Sequence, residues 1–428
     1  MITTELDGFW NVTGGTSFSA PYVTASLAAL KSLFPSLTYH QIRSRILATA
    51  DKTGIYSNTQ IYGQGRLNLD AASRPVGGVS LAVGTQTNGP VLPVRGAGLT
   101  LPDRFAQHAL ADQPLLLLDG FQRAPFFVKL TGFIRPRPAY LSFSDLTLPD
   151  NKPDQKDRAA IHSWQNNEGY TAFGKGSDLI SSFQQMSPRG LPLTRYHLSE
   201  QAAGLTVGTE RWQFVAAHDS PTSALSGYGL SSAAPSAYFA TGLTLSSDMP
   251  ALQDSRLALA LSSGLRHPLG WAGTGAFQVE GQNVELGWGQ AVQFNDRLSF
   301  DLTGRLTHLN PGNGPLLNFD KMLLMAADLS ADLNLYEQTK ARITFGREQP
   351  VSSANAHLRT AQAVSEDGRI ISAQTRFSTA ELATFDRLSL GLRHFTHKTT
   401  TIGAGITALR DGFGQTELFT GLKFDVRF

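Results

Sequence analysis

The feature that most constrains this chain is a two-residue hydrophobic period that sets in near Gly204 and persists to the last residue. In the final stretch Leu418, Thr420, Leu422, Phe424, Val426 and Phe428 share one parity, and Lys423, Asp425 and Arg427 take the other. Successive side chains of a strand point to opposite faces, so this is a strand with one apolar and one polar side. The same split recurs at Leu205/Val207, Trp212/Phe214/Ala216, Phe239/Thr241/Leu243/Leu245 and Leu257/Leu259/Leu261. It continues through Val284/Leu286/Trp288, Leu298/Phe300/Leu302, Leu329/Ala331/Leu333/Leu335 and Leu388/Leu390/Leu392. Asp254-Ser255-Arg256-Leu257, Asn295-Asp296-Arg297-Leu298 and Phe385-Asp386-Arg387-Leu388 read as turns of a weakly repeated hairpin unit.

Segments of about ten residues with alternating hydrophobicity are the signature of a transmembrane β-barrel. A soluble β-sandwich produces the same alternation, so the period alone leaves both open. The barrel is favoured by the run of alternation to the end and by the terminal Phe428, as in outer-membrane barrels that end on an aromatic residue. Strand length and spacing predict roughly ten to twelve strands, with outer-membrane lipid as their partner. Tyr238, Trp271, Trp288, Tyr336 and Phe395 are candidates for interfacial aromatic girdles, ordinary sheet packing being the alternative for each.

Composition narrows the function. The 428 residues suffice for two or three domains. Lys+Arg 36 against Asp+Glu 34 leaves a net charge of +2 and no basic run, so no nucleic-acid partner is implied. The absence of cysteine excludes disulfides, thiol catalysis and zinc–thiolate sites. No metal-binding or phosphate-binding motif occurs, and no cofactor is called for.

A second pattern lies near the N-terminus. Gly14 to Leu30 reads Gly-Gly-Thr-Ser-Phe-Ser-Ala-Pro-Tyr-Val-Thr-Ala-Ser-Leu-Ala-Ala-Leu. Val23, Leu27, Leu30 and Phe34 recur at helical spacing, with Pro21 expected in the first turn. Ser17 then sits at a helix N-terminus, where free N–H groups and the helix dipole favour developing negative charge. That environment suits a nucleophile whose attack creates an oxyanion.

Gly15-Thr16-Ser17 with Pro21 resembles the serine segment of the subtilisin-like serine proteases, in which Gly-Thr-Ser-x-x-x-Pro precedes a buried helix. The resemblance makes Ser17 the candidate catalytic nucleophile, and a serine N-cap ahead of a core helix is the plainer alternative. Ala25 stands where many members carry glycine. Downstream, Thr38 and Gln41 form a capping box ahead of a helix from about Tyr39 to Thr49, with Ile42, Ile46 and Leu47 inward. Tyr62-Gly63-Gln64-Gly65 and Asp70-Ala71-Ala72 then resemble the family's closing Gly-x-Gly turn and last helix. A protease segment followed by a barrel resembles the autotransporters, whose barrel anchors a passenger at the cell surface.

The resemblance also defines what is missing. A serine hydroxyl needs an adjacent base. The family supplies a histidine oriented by an aspartate, plus an oxyanion asparagine, all ahead of the serine. Only sixteen residues precede Ser17, without a signal-peptide pattern, so the chain reads as the C-terminal portion of a longer protein. His40 reads as an exposed helical residue, Asp51 follows the serine, Asn11 lies too close to it, and His218-Asp219 falls in the β region.

The fold expected is therefore mixed: a short α/β remnant of a subtilisin-like domain over 1–73, a linker with short strands over 74–200, and a mainly antiparallel β-barrel over 201–428. Leu115–Asp119 and Phe126–Leu130 are short apolar runs of buried-strand type, and Pro149–Arg158 is a solvated loop. The function expected is a fragment of a serine endopeptidase, inactive alone, whose parent acts on proteins or peptides. A non-enzymatic outer-membrane protein with a vestigial segment, or a soluble secreted fragment with a β domain binding carbohydrate or protein, are the rivals.

Overall fold

The computed structural model describes residues 2–4, 8–12, 15–101, 110, 112–136, 159–166, 168–176, 179–184, 186, 190–194, 196, 198–199, 201–219, 235–245, 252–266, 269, 272–352, 355–397 and 400–426. Trp271, Phe428 and the loop Pro149–Arg158 fall outside these residues. The chain divides into two compact units. One comprises Met1–Ala97, Leu110–Phe133 and Arg359–Thr375; the other comprises Gly98–Ala109, Ile134–Leu358 and Arg376–Phe428.

The first unit holds helix α1 (Thr16–Leu33) and helix α2 (Tyr39–Ala48) beside an antiparallel sheet ordered Val91–Pro93, Val79–Ala82, Pro114–Asp119, Pro125–Lys129. The capping box at α2 forms as expected: the Gln41 amide donates to Thr38 Oγ1 (3.3 Å) and Thr38 N–H donates to Gln41 Oε1 (2.8 Å). The core joins Leu30, Phe34, Leu37, Ile42, Ile46 and Ala72 with Ala124, just ahead of the strand Pro125–Lys129, and Leu27, Leu67 and Phe126 pack against it. Ile42 and Ile46 are buried as expected, but Leu47, expected inward, is exposed, and Arg45 is buried as fully as Ile42. Helical geometry explains this: Arg45 is three residues from Ile42 and shares its face, whereas Leu47 is rotated away.

The Gly-x-Gly turn is fixed by a two-way backbone bridge, Asp51 N–H to Arg66 C=O (2.8 Å) and Arg66 N–H to Asp51 C=O (2.9 Å). Gly65 adopts φ 105°, and a Cβ there would lie 2.4 Å from the Asp51 carbonyl oxygen. Only glycine meets both demands.

The second unit is built on a thirteen-stranded antiparallel sheet whose strands follow chain order from Ala159–Gln165 to Thr416–Val426. It begins well before Gly204, because Ala159–Gln165 and Tyr170–Gly176 carry Ala, Ser, Gly and Lys that blur the alternation. Of the three expected turns only the one at Asp296-Arg297 is a hairpin connection, between Gly281–Asn295 and Leu298–Asn310. Ser255–Leu257 lies within the strand Leu252–Leu265, and Phe385–Leu388 opens the strand Phe385–His397.

The orientation of the two faces is inverted relative to a water-soluble sheet. Phe239, Leu243, Leu257, Leu259, Leu261, Val284, Leu286 and Trp288 are exposed, each by 42–54%. On the opposite parity Arg256, Asn283, Glu285 and Thr307 are buried, together with small residues such as Ala258, Ala260 and Ala291. Cross-strand register places Thr241, Leu259 and Leu286 in one outward row. A sandwich hides its apolar parity; this sheet hides its polar one. That arrangement is stable only where the apolar side meets hydrocarbon. Among the described residues no helix is long and apolar enough to cross a membrane.

Candidate functional site

Ser17 is the second residue of α1. The chain enters through Gly15, at φ 135° and ψ 150°, and no side chain caps the helix there. The Phe18 amide turns back to the Gly15 carbonyl (3.2 Å), and Ser17 itself is exposed. A helix start of this kind leaves backbone N–H groups pointing outward beside the serine hydroxyl. Pro21 is not in the first turn as expected but is the sixth helical residue, so the Ser17 carbonyl loses its i+4 donor.

No histidine or carboxylate hydrogen-bonds to Ser17 among the described residues. His40 lies exposed on α2, as its sequence context implies. Asp51 accepts from the Thr53 hydroxyl (2.7 Å) and the Thr53 amide (3.0 Å) and pairs with Arg66 at 2.8 Å. These bonds from Thr53, helped by the Arg66 charge, hold its carboxyl below the usual carboxylate range. Asp51 is thus committed to the turn. His218 ends the strand Trp212–His218, and the buried Asp219 accepts from the Ser199 amide and hydroxyl, all within the second unit.

The N-terminal half of α1 is uncovered. Residues 15–25 are exposed, and Phe18, Tyr22 and Val23 are 38%, 52% and 40% accessible. The C-terminal half is packed, with Leu30 and Phe34 each 1% accessible. The helix flank beside the serine is therefore open along its first turns and covered along its last.

The packed half is anchored by a residue the periodicity hides. Arg45, wholly buried, donates Nε to the Ala72 carbonyl (2.6 Å), Nη1 to Asp119 Oδ2 (2.7 Å) and Nη2 to the Arg74 carbonyl (2.6 Å). Its guanidinium lies 4.9 Å from the Phe34 ring centre and 5.7 Å from that of Phe126. Asp119 in turn accepts from the amides of Val76, Gln122 and Ala124. The only sequence signal was an arginine set among Ile42 and Ile46 on the inward face.

In the second unit the inner face of the sheet carries a network of charges. Asp328 takes Arg387 at 2.8 Å and Arg305 at 3.1 Å, Arg342 grips Asp332 through two nitrogens, and Arg256 pairs with Asp301. The connection between Tyr170–Gly176 and Ala203–Gly208 folds back on this face. Thr194 donates its amide (2.6 Å) and hydroxyl (3.1 Å) to Glu285, Asn283 donates to Tyr196 Oη (2.5 Å), Gln184 donates to Tyr238 Oη (2.8 Å), and Arg256 donates to the Gly190 carbonyl (3.2 Å). Gly287 makes room for it, since a Cβ there would lie 2.1 Å from the Pro192 carbonyl oxygen. Tyr238 is therefore an inward residue and no girdle aromatic, whereas Trp288 and Tyr336 are exposed. Among the described residues no group of three metal-ligating side chains occurs.

Comparison with known proteins agrees with the serine segment. Residues 4–65 match the model of the Subtilase family. Serotype-specific antigen 1 of Mannheimia haemolytica is 52% identical over 58 residues, 14% of this chain and 6% of that protein. Subtilisin DY of Bacillus licheniformis is 35% identical over 60 residues, 14% of this chain and 21% of that protein. The chain thus spans a small part of the curated relatives it matches. Among solved structures, a loop L8 deletion mutant of OmpT, an outer membrane protein of Vibrio cholerae, aligns over 74% of this chain and 87% of its own, at 10% identity and a TM-score of 0.37. In-vitro folded OmpT of the same organism aligns over 62% and 76%, at 10% identity and a TM-score of 0.34. Residues 4–65 are thus similar to the subtilases, and the second unit is a large antiparallel sheet with its apolar face outward.

Proposed function

We propose that this chain carries the nucleophile-bearing segment of a subtilisin-like serine endopeptidase, held at the bacterial outer membrane by an autotransporter-like barrel. The observation that carries this reading is Ser17, exposed at an uncapped helix start within the subtilase-matching residues and beside an uncovered apolar flank. In the complete enzyme Ser17 attacks a peptide carbonyl, its proton passes to a histidine, and an acyl-enzyme forms. The Ser17 hydroxyl and the backbone N–H groups of the helix start are the parts of that machinery this chain holds. The histidine, its aspartate and the oxyanion asparagine belong upstream, and proteins or peptides are the substrates.

On this reading the chain by itself has no appreciable protease activity, because triad members act as a unit. The outward Leu, Phe, Val and Trp rows make the second unit a membrane anchor, with lipid as its partner. Incubating the chain with a reactive fluorophosphonate tests the catalytic part. Labelling of Ser17 no faster than that of an ordinary serine is expected, and rapid stoichiometric labelling would refute it. A longer chain extended upstream to include an Asp-x-Gly strand end and a His-Gly-Thr helix start should label rapidly. Failure there, with the protein folded, favours the rival reading of a non-enzymatic outer-membrane protein with a vestigial segment.

A further inference from the structure

Each compact unit is assembled from pieces of chain that lie far apart in sequence. In the first unit Arg359–Thr375 joins the sheet that carries Leu116 and Leu118. Ala361 and Ile370, each 7% exposed, complete one apolar cluster with Ala82, Leu116 and Leu118, and Val91 and Val364 pack against it. Backbone pairing adds to the cluster. The Thr87 amide donates to the Gly368 carbonyl (2.8 Å) and the Ile370 amide to the Thr85 carbonyl (2.8 Å), on either side of the antiparallel pair Gln86 and Arg369. Arg359 donates to the carbonyls of Val83 and Gly84, and the Thr375 hydroxyl donates to Gln113 Oε1 (3.0 Å), 262 positions away.

The two surfaces are fitted to each other. Gly368 adopts φ 79°, and a Cβ there would lie 2.8 Å from Thr87 Oγ1, so the tip of the inserted segment has to be glycine. The receiving loop is held from its other side by Arg123, which donates to the carbonyls of Thr87 (2.9 Å) and Gly89 (2.6 Å). In the second unit an early piece of chain is inserted among later ones. Gly98–Leu101 pairs in parallel with Ile134–Pro136 and antiparallel with Ala272–Thr274, and Leu99 between them is wholly buried.

We infer that this interlacing is a noncovalent clamp. The surface made by residues 83–87 with Leu116 and Leu118 is a docking site for Arg359–Thr375, and Ala272–Thr274 is a docking edge for Gly98–Leu101. Each contact lies inside one unit, and each joins a residue before position 137 to one after position 158. Scission of the chain anywhere between Pro136 and Ala159 therefore leaves the serine-bearing piece bound to the remainder. A shared apolar cluster and two strand pairings have to be broken before the pieces part, and exposing that cluster to water opposes the separation. The inference needs neither the protease reading nor the membrane reading.

The test uses the full chain, folded in detergent, with the recognition sequence of a site-specific protease in place of residues 149–158. Cut after folding, the two pieces should elute together in size-exclusion chromatography. Ile370→Asp places a charge in the shared cluster, and Gly273→Val drives a side chain against the Phe277 carbonyl. Either change should speed dissociation of the cut pieces about tenfold, and the two together should separate them. Arg359→Ala removes only the contacts to Val83 and Gly84, so it should act in the same direction by a smaller factor, even where Ile370→Asp prevents folding. Gln86 and Arg369 form the closer, non-hydrogen-bonded kind of antiparallel pair, and the chain has no cysteine of its own. Gln86→Cys/Arg369→Cys should therefore form a disulfide in the uncut chain, and that disulfide should hold the cut Ile370→Asp/Gly273→Val pieces together until it is reduced. Separation of the cut pieces without any substitution at the two contacts overturns the inference, as does failure of the disulfide to form in the folded, uncut chain. Retention of the doubly substituted pieces without a disulfide overturns it too, because they are then held elsewhere.

Discussion

The Arg45–Asp119 pair gives the sharpest test of how the serine-bearing helices are held. Both side chains are fully buried, and Arg45 also donates to the carbonyls of Ala72 and Arg74. Removing one partner of such a pair costs about 3–5 kcal/mol, because the other charge is left uncompensated in a dry site. The two deletions are not equivalent. In Arg45→Met, Asp119 keeps three backbone N–H donors, which places that variant near 3 kcal/mol. Asp119→Ala strands the guanidinium and orphans those three donors at once, so it belongs near 5 kcal/mol. At about 1.4 kcal/mol per factor of ten, the opening equilibrium should rise about two orders of magnitude for the first and more than three for the second. Amide hydrogen exchange over α2 and over Pro114–Asp119, in the full folded chain, reads this directly. The double variant Arg45→Met/Asp119→Asn keeps an oxygen for the backbone donors and buries no charge, so it should cost less than the two single changes combined. Acceleration below about fivefold in both single variants, or strict additivity in the double, would refute the argument that this pair pins the helices to the sheet.

Three further outcomes follow from the same structure. Leu259→Lys, in the middle of an outward row, should destabilise the lipid-embedded protein by about 2–4 kcal/mol in urea titrations from vesicles, and a change under about 0.5 kcal/mol would deny that this face meets hydrocarbon. Asp51→Asn should loosen the Gly-x-Gly turn at neutral pH. Since the folded carboxyl titrates below its unfolded value, the wild-type contribution is present above the ordinary carboxylate range and fades as pH falls through the depressed value. Protease nicking near Lys52 and Arg66 should therefore rise in acid for the wild type and be raised and pH-insensitive in Asp51→Asn. Glu285→Ala removes the acceptor of two Thr194 hydrogen bonds and should free the fold-back segment by about 1.5–3 kcal/mol, measured as faster exchange at 190–194; unchanged exchange would contradict the role given to Glu285.

Much of the local structure was legible in the residues themselves. Thr38 and Gln41 announced the start of α2, Gly63 and Gly65 announced a turn, and Gly-Thr-Ser ahead of apolar residues at helical spacing announced the helix that begins at Thr16. These are signals carried by neighbours in the chain, and short-range sterics and capping are sufficient to produce them. The two-residue period likewise defined the strands from Gly204 onward and told which residues share a face. It could not say which face is wet, because alternation is symmetric under exchange of inside and outside. Tertiary structure decided that: Leu257, Leu259 and Leu261 look outward, while Arg256 and Glu285 are enclosed. Arg45 and Asp119 escaped sequence reasoning for a related reason. Their partnership spans seventy-four positions, and a buried charge becomes tolerable only when a distant carboxylate, two carbonyls and two aromatic rings arrive around it. The apolar cluster that Ala82, Leu116 and Leu118 share with Ala361 and Ile370 was also settled by tertiary structure alone, since no local pattern announces a partner so far along the chain.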